Sequence, residues 1–179
     1  MGVAGLVLAA GEGRRFGGPK APVVIDGERL VDRAVRVLRE GGCEPVYVVL
    51  GAWVGEVPGA IVVVNPDWAE GMGSSLRVGL GAMDADRVVV TLVDLPGLTP
   101  AAVARMVAEP ARIAQATYDG VRGHPVLLGR EHVAGVVDVA VGDRGARDYL
   151  KAQGGAVVTV EVGDVASGED LDAPAAPGA

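Results

Sequence analysis

The sequence predicts an α/β protein in which helices cover both faces of a mostly parallel sheet, a three-layer sandwich. Short apolar runs rich in β-branched residues alternate with segments of helical periodicity. The runs are nearly unbroken, which is typical of strands buried on both faces. The 179 residues are enough for one domain with a core and few for two. We therefore expect a single domain over residues 1–174 and a disordered tail over residues 175–179.

Six apolar runs are the predicted strands, and four segments are the predicted helices. The strands cover residues 3–9, 45–50, 60–64, 87–93, 125–129 and 156–162. The helices cover residues 30–41, 73–83, 100–107 and 143–153. Thr99 and Pro100 supply an N-cap hydroxyl and a proline at the first helical position, and Gly154 follows the last helix.

Composition and charge exclude several classes of protein. The net charge is −7, and the only concentration of basic residues is Arg14, Arg15 and Lys20, so we expect no nucleic-acid partner. The longest apolar runs fall far below the roughly 18 residues of a membrane helix, so we expect no membrane partner. A single cysteine, Cys43, excludes an internal disulfide framework. With no signal-peptide pattern at the start, these features predict a cytoplasmic protein.

The stretch LAAGEGRRFGGPK, residues 8–20, follows the first strand and has the composition of an anion-binding loop. A dinucleotide-binding G-x-G-x-x-G turn would need glycine where Phe16 stands, and Pro19 blocks the helix that should follow. A Walker A loop would need Lys and a hydroxyl where Pro19 and Lys20 stand. Both interpretations fail at specific residues.

A third arrangement remains for this loop. Small residues let a base or a phosphate approach the backbone, and Gly11 and Gly13 allow N–H groups to converge on an anion. Arg15 and Lys20 then add mobile positive charge for a triphosphate. The residues predicted to bind nucleotide here are Leu8, Ala9, Ala10, Gly11, Gly13, Arg15 and Lys20.

This loop, L-A-A-G-x-G-x-R-x-G-x-P-K, resembles the signature of nucleotidyltransferases that join NTPs to sugars, alditols and pterins. Within that superfamily the chain is most similar to the molybdopterin nucleotidyltransferases, above all the molybdenum-cofactor cytidylyltransferases. The resemblance implies the Rossmann-like sheet of nucleotide-diphospho-sugar transferases (GT-A type). It also implies transfer of CMP from CTP onto the terminal phosphate of a molybdopterin-type cofactor, with release of pyrophosphate.

Asp94 ends the apolar strand of VVVTLVDLPGLTP, residues 88–100, which puts a carboxylate at the carboxyl edge of the sheet. Such an acid is a hard-oxygen ligand suited to Mg²⁺. The resemblance assigns this position to the metal and implies a second acid near the C-terminus, where D-L-D-A-P offers Asp170 and Asp172. We prefer Asp172 of these two. The predicted catalytic residues are Arg15, Lys20 and Asp94, and the predicted cofactor is Mg²⁺.

Two further segments have both a structural and a functional interpretation. In NPDWAEGMGSSL, Ser74 or Ser75 could simply cap a helix, whereas the resemblance implies nucleobase recognition by Gly73 and Ser75. In YDGVRGHPVLLG, the resemblance places Arg122 and His124 near the acceptor, although a histidine before proline is often structural. GDRGARDYL offers Arg144 or Arg147 either to the acceptor or to a helix surface.

The expected partners are an NTP, with CTP favoured, and a phosphorylated pterin-type small molecule. The resemblance further implies a molybdoenzyme or a cofactor chaperone as a protein partner. Three alternatives remain at this point: a guanylyltransferase or another transferase with a different phosphorylated acceptor, an NAD(P)H-dependent pigment reductase of the nicotine-blue type, and a regulatory protein that binds nucleotide without turnover.

Overall fold

The computed structural model describes residues 2–174 of the chain. Two 3₁₀ turns, Trp68–Glu70 and Gly154–Ala156, accompany the regular elements. The strands and helices, in chain order, are β1 (Val3–Ala9), β2 (Val24–Ile25), β3 (Glu28–Arg29), α1 (Leu30–Glu40), β4 (Cys43–Leu50), β5 (Ile61–Val64), α2 (Met72–Gly81), β6 (Arg87–Leu92), α3 (Pro100–Ala108), β7 (Ile113–Tyr118), β8 (Val121–Gly129), α4 (Arg130–Val139), α5 (Arg147–Gln153) and β9 (Val158–Glu161).

Seven strands form one sheet in the order β5-β4-β1-β6-β8-β7-β9, and β2 and β3 form a separate two-stranded ribbon. Strand β8 runs antiparallel to both of its neighbours, whereas the other pairs in the large sheet are parallel. The predicted fold class, an α/β protein with a mostly parallel sheet, is confirmed. Because β1 and β6 are adjacent and parallel, their carboxyl ends meet at one edge of the sheet.

Two hydrophobic layers cover the sheet, which explains why all seven residues of β1 are buried. Val7 faces a layer shared with Val31 of α1 and Met106 of α3. Leu6 faces the opposite layer, shared with Leu76 of α2. The alternation along β1 therefore sends successive side chains into two apolar layers, and the strand reads as an unbroken apolar run.

Some predicted boundaries are wrong, and four elements went unrecognised: β7, α4 and the two short strands of the ribbon, β2 and β3. The predicted helix over residues 143–153 begins only at Arg147, because Gly142 and Gly145 take positive φ values of 54° and 55°. Strand β7 was not predicted because its glutamine and threonine interrupt a run of apolar residues. Helix α4 was not predicted because only one of its residues, Val136, is buried, so its apolar periodicity is weak. The strand predicted at 125–129 begins earlier, at Val121, and the one at 156–162 shortens to Val158–Glu161.

The predicted tail, residues 175–179, lies outside the described residues. None of the helices within residues 2–174 has the length and apolar composition needed to cross a bilayer.

Candidate active site

A cleft of about 430 Å³ opens where β1 and β6 end. Its lining combines the backbone of the glycine loop with cationic side chains, carboxylates and one indole ring. The lining residues are Leu8, Ala9, Ala10, Gly11, Glu12, Gly13, Arg14, Lys20, Trp68, Ala69, Gly71, Met72, Ser75, Leu92, Val93, Asp94 and Asp143. The structure thus brings together the two strongest sequence signals, the glycine loop and the aspartate at the end of β6.

The glycine loop curls back on itself at Gly13. The carbonyl of Gly13 accepts hydrogen bonds from the N–H groups of Gly17 (2.8 Å) and Gly18 (3.0 Å). Gly13 has a φ of 64°, and a Cβ there would lie 1.9 Å from the Gly18 oxygen, so only glycine fits. A Cβ on Gly11 would meet no heavy atom within 4 Å. Gly13 therefore shapes the loop, while Gly11 leaves open space beside the cleft.

Lys20 and Asp94 form an ion pair inside the cleft. Lys20 Nζ donates to Asp94 Oδ2 at 3.0 Å, and the two side chains are 17% and 21% exposed. The second oxygen, Asp94 Oδ1, is buried and has no hydrogen-bond partner within residues 2–174. A buried carboxylate oxygen without a donor suits a hard divalent cation. Asp94 therefore fits the role of metal ligand.

The segment after β9 carries the other predicted metal ligands to the same place. Leu171 donates its N–H to the carbonyl of Asp94 at 2.9 Å. Loss of solvent, followed by the negative charges of Asp94 and Asp172, raises the pKa of Asp170, so these three carboxylates influence one another. Within the described part of the chain, no group of three or more His, Cys, Asp or Glu side chains is arranged to hold a metal by itself. Oxygens of a bound phosphate would have to complete such a site.

A buried amide organises the start of α2. Asn65 donates from Nδ2 to Ser74 Oγ (2.9 Å) and to Ser75 Oγ (3.0 Å). Gly71, not a serine, is the N-cap of α2, so the capping interpretation of Ser74 and Ser75 does not hold. Ser75 lines the cleft and accepts from Asn65, which leaves its hydroxyl proton available to a ligand.

Gly73 is close to this region but does not line the cleft. A Cβ on Gly73 would lie 2.7 Å from the carbonyl carbon and oxygen of Ala140, and its N–H donates to the carbonyl of Gly142 at 2.8 Å. This glycine therefore lets α2 pack against the loop before α5. The contact also satisfies an N–H group at the start of α2 that an anion would otherwise use.

Asp143 is a cleft residue that the sequence did not reveal. It lies on the loop that packs on α2, and its Oδ1 would be 2.7 Å from a Cβ on Gly71. The only available signal was its place in GDRGARDYL, where the arginines drew attention instead. A carboxylate repels phosphates, so the part of the cleft beside Asp143 suits a neutral group with hydrogen-bond donors.

The arginines of the glycine loop are divided between cleft and solvent. Arg14 lines the cleft and is paired with Glu12. Arg15, the predicted catalytic arginine, is exposed and does not line the cleft. Its long side chain would have to turn inward to contact a bound triphosphate.

The predicted acceptor residues lie outside the cleft lining. His124 is partly buried, and Tyr118 donates its hydroxyl to the His124 carbonyl at 2.5 Å. Burial lowers the pKa of His124, the charge of Asp94 opposes this shift, and the charge of Arg147 adds to it. Arg122 is exposed. His124 is thus shielded from solvent and influenced by the charge of Asp94, whereas Arg122 faces solvent.

The sequence is similar to one protein-family model and to several known proteins. Residues 5–157 match the model of the MobA-like NTP transferase domain. Nicotine blue oxidoreductase of Paenarthrobacter nicotinovorans is 37% identical over 95% of this chain and 92% of its own length. A probable molybdenum cofactor guanylyltransferase of Mycobacterium ulcerans is 29% identical over 99% of this chain and 96% of its own length.

Solved structures with a similar fold cover nearly the whole chain. The crystal structure of the Mycobacterium tuberculosis Rv0371c homolog from Mycobacterium sp. strain JC1 is 30% identical, with a TM-score of 0.81 over 96% of this chain and 90% of that chain. Rv0371c of M. tuberculosis H37Rv in complex with manganese is 25% identical, with a TM-score of 0.74 over 90% and 89%. The chain therefore belongs to the family of MobA-like NTP transferase domains.

Proposed function

We propose that the protein transfers CMP from CTP to the terminal phosphate of a molybdopterin-type cofactor and releases pyrophosphate. The observation that carries this proposal is the Lys20–Asp94 pair at the carboxyl ends of β1 and β6. A cation for phosphate and a carboxylate for a divalent ion stand side by side there, in a cleft large enough for a nucleotide. Ser75 and Trp68 supply a hydroxyl and an aromatic surface to the lining of the same cleft.

The reaction needs positioning and charge neutralisation more than a nucleophilic side chain. An oxygen of the acceptor phosphate bonds to the α-phosphorus of the NTP, and the bond to the pyrophosphate oxygen breaks, so pyrophosphate leaves with the electron pair. The acceptor phosphate is already an anion near neutral pH and requires no general base. Arg15 and Lys20 stabilise the triphosphate and the leaving group, and Arg122 and His124 serve the acceptor side.

Asp94, together with Asp170 or Asp172, would hold a divalent ion, which when bound neutralises phosphate charge. The unpartnered Asp94 Oδ1 supports this role. The manganese complex of Rv0371c supports a divalent ion in a relative, and we propose Mg²⁺ for this protein.

Pyrophosphate release from CTP, Mg²⁺ and molybdopterin tests the proposal. Asp94→Ala should abolish release without unfolding the protein, and Arg15→Ala should lower kcat by about 100-fold or more, as expected for a lost transition-state charge contact. Arg130→Ala is the matched control, because Arg130 forms an exposed ion pair with Asp84 away from the cleft. A fully active Asp94→Ala protein contradicts the metal assignment, and an unchanged kcat removes Arg15 from the mechanism.

The identity of the nucleobase is tested separately from the transfer reaction. Relatives named as guanylyltransferases favour GTP as the competing donor. A thermal-shift panel of CTP, GTP, ATP and UTP with Mg²⁺ ranks the four nucleotides, and the one that stabilises most is then used in the pyrophosphate assay. Stabilisation without pyrophosphate release from any acceptor would favour a regulatory nucleotide-binding protein.

The second candidate is an NAD(P)H-dependent pigment reductase. One observation favours it, the 37% identity to nicotine blue oxidoreductase over nearly the whole chain. Phe16 stands where a dinucleotide-binding turn needs its third glycine, which counts against that mode of binding. Oxidation of NADPH in the presence of a quinoid dye, followed by absorbance, decides between the two. NADPH oxidation by the protein, without pyrophosphate release from an NTP, would replace the transferase proposal.

A further inference from the structure

We propose that the Lys20 ammonium, paired with Asp94, opposes the binding of a divalent ion at the same carboxylate, so that nucleotide and divalent ion promote each other's binding. A triphosphate draws Lys20 off Asp94, and a divalent ion then binds the carboxylate without that repulsion. The inference rests on the proposed function for one point only, that a triphosphate and a divalent ion use this cleft.

The first observation is how exclusively the two groups are paired. Lys20 Nζ contacts Asp94 Oδ2 at 3.0 Å, and within residues 2–174 neither side chain has another hydrogen-bond or ion-pair partner. Both are about four-fifths shielded from solvent. Removing either charge alone would leave the other partly buried without its hydrogen-bonded counter-charge, which is unfavourable.

The second observation is that the exchange needs only a side-chain movement. Next to Lys20, Ala21 is 1% exposed, and its carbonyl accepts from Val31 N–H at 3.1 Å. The Lys20 carbonyl accepts from Val23 N–H at 3.0 Å. The backbone is thus held at Lys20 and Ala21, while the four-carbon side chain of Lys20 can turn from Asp94 to a phosphate.

Charge then determines the coupling. A divalent ion arriving alone meets the Lys20 ammonium at the carboxylate it needs, and a triphosphate arriving alone meets the Asp94 carboxylate beside the lysine it needs. When both arrive, Lys20 turns to phosphate and Asp94 to the ion, and each charge keeps a counter-charge. Because binding linkage is reciprocal, each ligand must raise the affinity for the other by the same factor.

The first test measures Mn²⁺ alone, by loss of the free-ion EPR signal. Lys20→Met keeps an unbranched side chain of nearly the same length and removes its charge, so we expect Mn²⁺ to bind about tenfold more tightly than to the wild type. Lys151→Met is the matched control, because Lys151 is exposed on α5 and is the only other lysine in the sequence. Lys20→Gln, with a polar end, must change Mn²⁺ affinity in the same direction. Unchanged or weaker Mn²⁺ binding in both Lys20 variants overturns the proposal.

The second test measures CTP and GTP by calorimetry in EDTA and again in Mg²⁺. In EDTA, Asp94→Asn should bind the nucleotide more tightly than the wild type, because Lys20 is released and the repelling charge is gone. In Mg²⁺ the order should reverse. Weaker nucleotide binding by Asp94→Asn under both conditions overturns the coupling. If the wild type binds neither nucleotide in Mg²⁺, the proposed function fails, and the Mn²⁺ test still decides the role of Lys20.

Discussion

The backbone N–H of Ser167 donates to the carbonyl of Gly97 at 3.0 Å, at a point where residue 97 has no room for a side chain. A Cβ on Gly97 would lie 2.7 Å from the Cβ of Ser167 and 2.9 Å from its carbonyl oxygen. Thr99, two residues after Gly97, donates from Oγ1 to the carbonyl of Val165, two residues before Ser167, at 2.9 Å. These contacts, with the Leu171 hydrogen bond to Asp94, join the C-terminal segment (residues 162–171) to the loop that carries Asp94.

Gly97→Ala should therefore weaken both the fold and the metal site. The added methyl group forces the C-terminal segment away from the Asp94 loop, at a cost of about 1–3 kcal/mol in the free energy of unfolding. Mn²⁺ affinity should fall because Asp170 moves away from Asp94. Denaturant unfolding and Mn²⁺ EPR measure the two effects. Gly81→Ala is the control, since a Cβ there meets no atom within 4 Å; equal stability of the two variants would contradict the packing argument.

The sequence could predict the parts of the cleft that are local. Asp94 was recognised because it directly follows an apolar strand, and the loop over residues 8–20 because its glycines and cations are adjacent. Their pairing was beyond sequence reasoning, since Lys20 and Asp94 are 74 positions apart and meet only through the order of β1 and β6 in the sheet. Asp143 was missed for the same reason, because its place depends on how a loop packs on α2.

Weak local patterns account for the errors in the fold. Strand β7 contains two alanines, a glutamine and a threonine among its six residues, and it exists because β8 and β9 pair with it on either side. Helix α4 buries only Val136 fully, so its periodicity is faint. Tertiary pairing, not propensity, determines both elements.

Thr91→Val should stabilise the protein. Thr91 is fully buried in β6, and its Oγ1 has no hydrogen-bond partner within the described residues. Valine has nearly the same shape and removes an unpaired polar atom, so we expect a gain of about 1 kcal/mol in the free energy of unfolding. Thr117→Val is the comparison, because Thr117 Oγ1 donates to Glu161 Oε2 at 2.7 Å; this variant should lose about 1 kcal/mol. Denaturant unfolding shows whether each substitution raises or lowers the free energy of unfolding. A lower value for Thr91→Val than for the wild type contradicts the argument.

Glu161 should make stability depend on acid pH. Its carboxylate accepts hydrogen bonds from Thr117, Asp119, Gly120 and Gly163, and these donors, Thr117 first, lower its pKa from 4.5 to about 2. A lowered pKa means that the contribution is complete above about pH 4.5 and is lost as the pH falls towards 2.

Glu161→Gln should remove this part of the acid dependence. We expect the variant to be less stable than the wild type at pH 7 and the difference to shrink steadily between pH 5 and pH 2. Thermal unfolding across that range measures it. Glu44→Gln, at an exposed position without a side-chain hydrogen bond in the described chain, should follow the wild-type curve. A constant difference between Glu161→Gln and the wild type at all pH values would contradict the assignment.

Asp143→Asn should change which nucleotides bind. Asp143 lines the same cleft as Trp68 and Ser75 and lies beside Gly71, and its carboxylate can accept from an amino group of a base. Cytosine and guanine carry exocyclic amino groups and uracil carries none. An amide keeps an acceptor oxygen but loses the charge, so CTP and GTP should bind about tenfold more weakly in Mg²⁺, as expected for a lost charged hydrogen bond, while UTP binding changes little.

Calorimetry with the three nucleotides measures this selectivity, and Asp148→Asn on nearby α5 is the control, because Asp148 pairs with Arg144 outside the cleft. If UTP binding falls as much as CTP binding, Asp143 contacts a group common to all nucleotides, such as the ribose, and does not read the base.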